Sequence, residues 1–242
     1  MSDEKLCIST IDPEQGGGVL SVVRFLYESA ESFGYEPYTV YNALSWDDCL
    51  TSLDVLKGSW DVPVSRSSRH QLLGVKIGRV LPELEVFNYV LNRGHWQRAC
   101  ADAAVRVVAG GSCLPGLPLA LDDQSFGCWF GTSIVDEREV QTTNVSSLWR
   151  LRDLFTRPVL KRYEEYVLRN AEIIAVQSTY TKSKLVSRYD IPTERIDVVP
   201  VPVDTTAFEP ASNDSTDRSL IFVGRFNDAR KDIDLLLRAF ST

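Results

Sequence analysis

The chain has 242 residues, 44% of them hydrophobic and 24% charged, with a net charge of −7. That balance suits a globular fold and excludes collagen-like, coiled-coil and disordered classes. The acidic pI of about 5.0 argues against general nucleic-acid binding, which wants a basic face.

No apolar run approaches the roughly 18 residues that a spanning helix needs. The start, Met1 to Lys5, is polar and acidic, unlike a secretory signal. Five cysteines (Cys7, Cys49, Cys100, Cys113, Cys128) are widely spaced, form no C-x-x-C pair, and have only His70 and His95 as histidine company. These features predict a cytoplasmic protein with reduced thiols and no zinc site.

In chain order, the apolar run from Lys5 to Ile11 predicts a buried strand. A loop from Asp12 to Gly18 follows. Val19, Leu20, Val22, Val23, Leu26, Tyr27 and Ala30 then recur at helical spacing, and Gly34 stops that helix. The segment Tyr38 to Tyr41 reads as the next strand. This β-loop-α-β opening predicts a doubly wound, Rossmann-like α/β domain.

Further on, helices are expected over 46–56 and 83–100, and a strand over 72–78. Val105 to Ala109 is a clear strand ending at Gly110-Gly111. A long helix over 149–169 is expected to kink before Pro158. Glu172 to Val176 is a strand, and Ser178 or Thr179 caps a helix over 181–189. Ile196 to Val199 is another strand, closed by Pro200 and Pro202. Residues 211–218 are polar and turn-rich like a linker. Leu220 to Val223 then opens a new strand, and a helix starts near Asp232. A fresh β-loop-α unit after a linker predicts a second, incomplete domain.

Gly16, Gly17 and Gly18 follow the first strand and open a helix. Their bare backbone amides and the helix dipole suit an anion, although the same glycines also suit a plain flexible turn. A dinucleotide fingerprint fails here. The third glycine position is Ser21, and the second strand ends at Asn42 rather than at an acid. A second anion-type feature is Gly224-Arg225-Phe226 followed by Lys231. Arginine offers a bidentate fork to phosphate, and lysine a point charge. Together the two features predict one diphosphate held between two domains.

The stretch from Glu172 to Ser178, with Thr181, Lys182, Leu185, Ile196 to Pro200, Val203, Asp204, Phe208 and Pro210, resembles the end of the N-terminal domain in glycosyltransferase family 4. Ile221 to Arg225, Lys231 and Asp234 to Phe240 are similar to the start of that family's C-terminal domain. The resemblance covers about 172–240 and is supported by the glycine loop. It implies the GT-B fold, with residues 1–210 as the N-terminal acceptor-side half, 211–218 as linker and 219–242 as the start of a donor-binding domain.

The implied activity is transfer of a sugar from a nucleotide-sugar donor with retention at the anomeric carbon, without a metal or other cofactor. A glycan, a lipid-linked molecule or a small molecule would be the acceptor. Gly17, Gly18, Arg225 and Lys231 would hold the donor diphosphate, and Gly16, Thr132 and Ser178 would line the cleft. Without the rest of the donor domain, this chain alone is expected to transfer little. The rival reading is a non-catalytic module that binds a partner or a lipid surface.

Two departures stand out. The family's histidine near the transferred sugar has no counterpart in 126–132, and Lys231 precedes Asp232 where glycine is usual. The catalytic residues are therefore not identified.

Other features have bland readings beside them. His95 suits packing or the surface, Asp122-Asp123 a solvated turn, and Asp136, Glu137 and Glu139 a solvated loop. Val62 to Pro82 carries Arg66, Arg69, Lys76 and Arg79 and no acid. It reads as an exposed loop and strand edge, or as a peripheral surface for the inner face of an anionic membrane.

Overall fold

The computed structural model describes residues 4–13, 17–43, 48–58, 61–82, 84–141, 147–203, 205, 221–222, 224 and 232–240. Strand β1 (Lys5–Thr10) runs into helix α1 (Gly17–Ser32) and strand β2 (Glu36–Asn42). After β3 (Cys49–Leu50) and α2 (Ser52–Leu56) come β4 (Val64–Arg69), β5 (Leu72–Ile77) and β6 (Arg79–Val80). Helix α3 (Arg93–Cys100), β7 (Ala103–Gly110), α4 (Leu117–Leu121), β8 (Gly127–Phe130), α5 (Ile134–Gln141) and α6 (Ser147–Asn170) follow. The series ends with β9 (Ile173–Val176), α7 (Thr179–Tyr189), β10 (Ile196–Val198) and α8 (Ile233–Phe240).

Eight strands form one sheet in the order β10-β9-β8-β7-β1-β2-β5-β4. All neighbours pair parallel except β4, which runs antiparallel to β5 at the edge. The chain builds outward from β1 in both directions. This is a doubly wound, Rossmann-like α/β fold, and its strand order reverses between β1 and β7.

Side chains alternate across the sheet as the period of two requires. Leu6 and Ile8 of β1, Ala109 of β7 and Trp129 of β8 face α1, where Val22, Val23, Tyr27 and Ala30 are buried. Cys7, Val108, Cys128 and Phe130 face the other layer, with Trp96, Cys100, Leu117, Leu119, Val167 and Leu168. Phe25 of α1 meets Trp129 edge-on at 5.9 Å. Gly34 ends α1 at φ +84°, a conformation that costs glycine little. Gly74 of β5 sits against β2, and a Cβ there would lie 2.2 Å from Thr39 Oγ1.

Several expectations need correction. The helix expected over 46–56 is only α2, because Cys49–Leu50 pairs with β6 instead; Trp46 lies outside the described residues. The helix expected over 83–100 breaks into a 3₁₀ turn (Glu85–Phe87), a turn and α3. Buried Asn92 turns its carboxamide to the carbonyl of Gly78, 2.5 Å away, as asparagine does where it competes with the helix ladder. The segment containing Asp136, Glu137 and Glu139 is helix α5, whose first turn favours acids. Asp122 is not solvated: its side chain is nearly buried and pairs with Arg93 at 2.6 Å. The long helix expected over 149–169 is present as α6, with Pro158 in its interior.

The linker 211–218, Leu220 and Val223 lie outside the described residues. All five cysteines are buried and free of disulfides. Among the described residues no helix is long and apolar enough to cross a membrane.

Candidate functional site

A cavity of about 390 Å³ opens at the carboxyl ends of β1, β2 and β7, beside the reversal of strand order. Ligands of open α/β sheets bind at such a point, because neighbouring connections leave the sheet on opposite faces and part there. Each wall has a local origin. Asp12 follows β1, Asn42 ends β2 and Gly111-Ser112 follow β7. Ile134, Glu137 and Arg138 come from α5, and Arg152 and Thr156 from α6.

The cavity's polar groups are of two kinds. Asp12, Asn42 and Asn88 are buried. Asn42 Nδ2 donates to the Asn88 carbonyl at 3.2 Å. The Oδ1 atoms of Asn42 and Asn88 accept no hydrogen bond among the described residues. A buried carboxamide oxygen in that state is a ready acceptor for a hydroxyl donor. Arg79, Arg138 and Arg152 add guanidinium groups to the lining. Burial pulls the Arg138 guanidinium below its ordinary value, and its carbon lies 5.1 Å from the centre of the Trp149 ring. Arg152 stacks on the same ring at 5.1 Å. Gly111 would meet nothing within 4 Å if it carried a Cβ, so the wall is open there.

A buried network fixes the α5 wall. Glu164 of α6 accepts from Ser133 Oγ at 2.7 Å, from the Ile134 amide at 2.8 Å and from the Tyr189 hydroxyl. Burial pushes the Glu164 carboxyl above its ordinary range, against the pull of those three donors. Arg188 donates to Ser133 Oγ at 2.9 Å and to Asp136 Oδ1 at 2.6 Å. Burial lowers the Arg188 guanidinium pKa, but the bond to Asp136 and nearby negative charge outweigh it, and the net direction is upward. The carboxylate thus accepts an amide at the N-terminus of α5, where negative charge is favoured.

The residues expected to bind ligand are distributed as follows. Gly17 and Gly18 open α1, and a Cβ on Gly18 would meet nothing within 4 Å. Thr132 follows β8 and donates its amide to the Gly111 carbonyl at 2.9 Å. Ser178 follows β9 and caps α7: its Oγ accepts the Thr181 amide at 3.1 Å, and Thr181 Oγ1 donates to the Gly131 carbonyl at 2.8 Å. All four positions lie at the carboxyl edge of the sheet, but none is among the described residues that line the cavity. Gly16, Arg225 and Lys231 lie outside the described residues.

Of the basic residues in 62–82, Arg66 is exposed on the edge strand β4, Lys76 pairs with Asp48 at 2.6 Å, and Arg79 lines the cavity. His95 lies 3.6 Å from Asp61, with burial and then Arg98 holding its pKa down.

Asp12, Asn42, Asn88 and Arg138 went unnoticed as site residues, and Arg79 was expected only on a peripheral basic surface. Asp12 and Asn42 carry a usable signal, since each is polar and sits at the carboxyl end of a parallel strand. Asn88 and Arg138 reach the cavity from segments with no such signature.

No protein-family model matches the chain, and no curated protein matches it. Among solved structures, it is similar to an alpha-glucosyltransferase in complex with UDP and a 13-mer DNA containing a HMU base, at 15% identity and a TM-score of 0.43. That match covers 84% of this chain and 44% of the enzyme, so the chain spans less than half of the enzyme's length.

Proposed function

We propose that this chain is the acceptor-side half of a retaining glycosyltransferase that resembles family 4. The switch-point cavity carries this reading. Its buried carboxylate, carboxamide oxygens and guanidinium groups suit a molecule rich in hydroxyl groups, which a sugar acceptor is. The family-like stretch over 172–240 supplies the reaction class.

In this reading the acceptor hydroxyl oxygen bonds to the anomeric carbon of a nucleotide sugar. The bond from that carbon to the diphosphate oxygen breaks on the same face, and the hydroxyl proton passes to the departing phosphate. Asp12 and Asn42 orient the acceptor. Gly17 and Gly18 offer amides to the diphosphate, while Arg225 and Lys231 neutralise the charge that grows as it leaves. No metal is needed for that neutralisation, and nucleic acid is not the expected acceptor.

The test is calorimetric titration of UDP, GDP and ADP into the wild-type chain and an Arg225→Ala/Lys231→Ala variant. Charge-assisted hydrogen bonds contribute about 1.5–3 kcal/mol each, so affinity for the preferred diphosphate should fall more than tenfold. Unchanged affinity, or no affinity for any of the three in the wild type, would remove the diphosphate assignment.

A further inference from the structure

The first half of α6 turns an apolar row outward. Leu151, Leu154, Phe155 and Val159 are 53%, 68%, 70% and 38% exposed, and Pro158 is exposed among them. Their spacing is that of one helix face. The opposite face is already used, with Asp153, Leu160, Glu164, Val167 and Leu168 buried. The row is thus a second apolar face, beyond the one the core needs.

Cations border it. Lys161 and Arg162 are exposed beside the row, and Arg150 and Arg152, which also interact within the fold, are exposed near its start. The one acid between Ser147 and Tyr163 is Asp153, which is buried and paired with Arg157. In a chain of net charge −7, this helix half is locally basic. An exposed apolar row edged by arginine and lysine matches the interfacial helix that lies in the headgroup region, its apolar face among acyl chains and its cations at lipid phosphates.

We propose that α6 docks this protein on an anionic membrane surface. Charge complementarity favours that occupant over a second copy of the chain, because pairing two of these rows would set their cations against each other. Docking by α6 is independent of the chemistry in the cavity. It has one consequence for it: Arg152 and Thr156 line the cavity from the same helix, so docking brings the cavity to the lipid surface, where a lipid-linked acceptor would be presented.

Vesicle flotation tests the proposal. The 242-residue chain is mixed with phosphatidylcholine vesicles, and with vesicles of equal parts phosphatidylcholine and phosphatidylglycerol. It should float with the anionic vesicles only, and less so as salt is raised. Replacing Lys161→Gln and Arg162→Gln should weaken binding about fivefold per charge removed. Leu154→Ser with Phe155→Ser should weaken it at least about tenfold. All four side chains are exposed, and unchanged thermal melting shows that the variants fold; should the double serine variant melt early, Phe155→Ser alone replaces it. Failure to float with anionic vesicles, or equal flotation of the variants, overturns the proposal. So does light scattering that shows a wild-type dimer abolished by these same substitutions, since the row would then be an interface between copies.

Discussion

Glu164→Ala should destabilise the protein by about 3–4 kcal/mol. Three donors, from Ser133, Ile134 and Tyr189, lose their acceptor together. Each is left buried at a cost of about 1–3 kcal/mol. The low end applies, because the wild-type carboxylate is itself opposed by burial, which holds its pKa up. With a urea slope of about 3 kcal/mol/M, the midpoint should fall by about 1 M. Tryptophan fluorescence against urea reads it. Adding Tyr189→Phe to the variant should cost about 1 kcal/mol less than adding it to the wild type, since the partner is already gone. A loss below about 1 kcal/mol for Glu164→Ala would refute the claim that this network sets the α5 wall. The pH dependence has a definite sign. A folded carboxyl with a raised pKa binds protons more tightly than the unfolded one, so its contribution is full in acid and is lost as pH rises through the folded value. Wild-type stability relative to Glu164→Gln should therefore decline with pH from the ordinary glutamate range upward. A rising difference would contradict the buried-carboxyl account.

Gly74→Ala should cost about 1–3 kcal/mol, because its Cβ would press on both the side chain and the carbonyl of Thr39; a thermal melt checks it, and no loss would mean that β2 and β5 are less closely packed than described. Gly18→Ala, whose Cβ enters open space, should leave the melt unchanged or raise it, and early melting would contradict that placement. Ser178→Ala should cost about 1 kcal/mol of stability through the lost cap while leaving nucleoside diphosphate affinity unchanged. A drop in affinity at unchanged stability would instead make Ser178 a ligand contact.

The central sheet was largely legible in the sequence. Short, largely apolar runs at 5–10, 103–110 and 173–176 have no helical alternative of comparable length. The segment 46–100 was not legible, because helical periodicity there is real but serves tertiary packing. Val86, Trp96 and Cys100 are all buried, yet the chain between them turns at residues 88–92, where the Asn88 carbonyl accepts from the Asn42 side chain and the Asn92 carboxamide donates to the Gly78 carbonyl. An exposed strand edge was expected within 62–82, but its antiparallel pairing through β4 was not, since Ser65, Ser67 and Ser68 carry no strand signal. The site divides the same way. Strand ends point to Asp12 and Asn42, and helix capping explains Ser178, but the α6 wall depends on how a long helix crosses the sheet. The outward face of that helix was not legible either, because alternating apolar and basic residues there match the period of an ordinary core face.

In the proposed function the switch-point cavity takes a hydroxyl-rich acceptor. The direct measurement is calorimetric or NMR titration of a panel of free and lipid-like glycosides into the chain, repeated with Asp12→Ala and Asn42→Leu. At least one sugar should bind saturably, with affinity weakened roughly fivefold to a hundredfold by either substitution, as expected for one lost buried hydrogen bond. Saturable binding that ignores both substitutions, or no saturable binding across the panel, would contradict it.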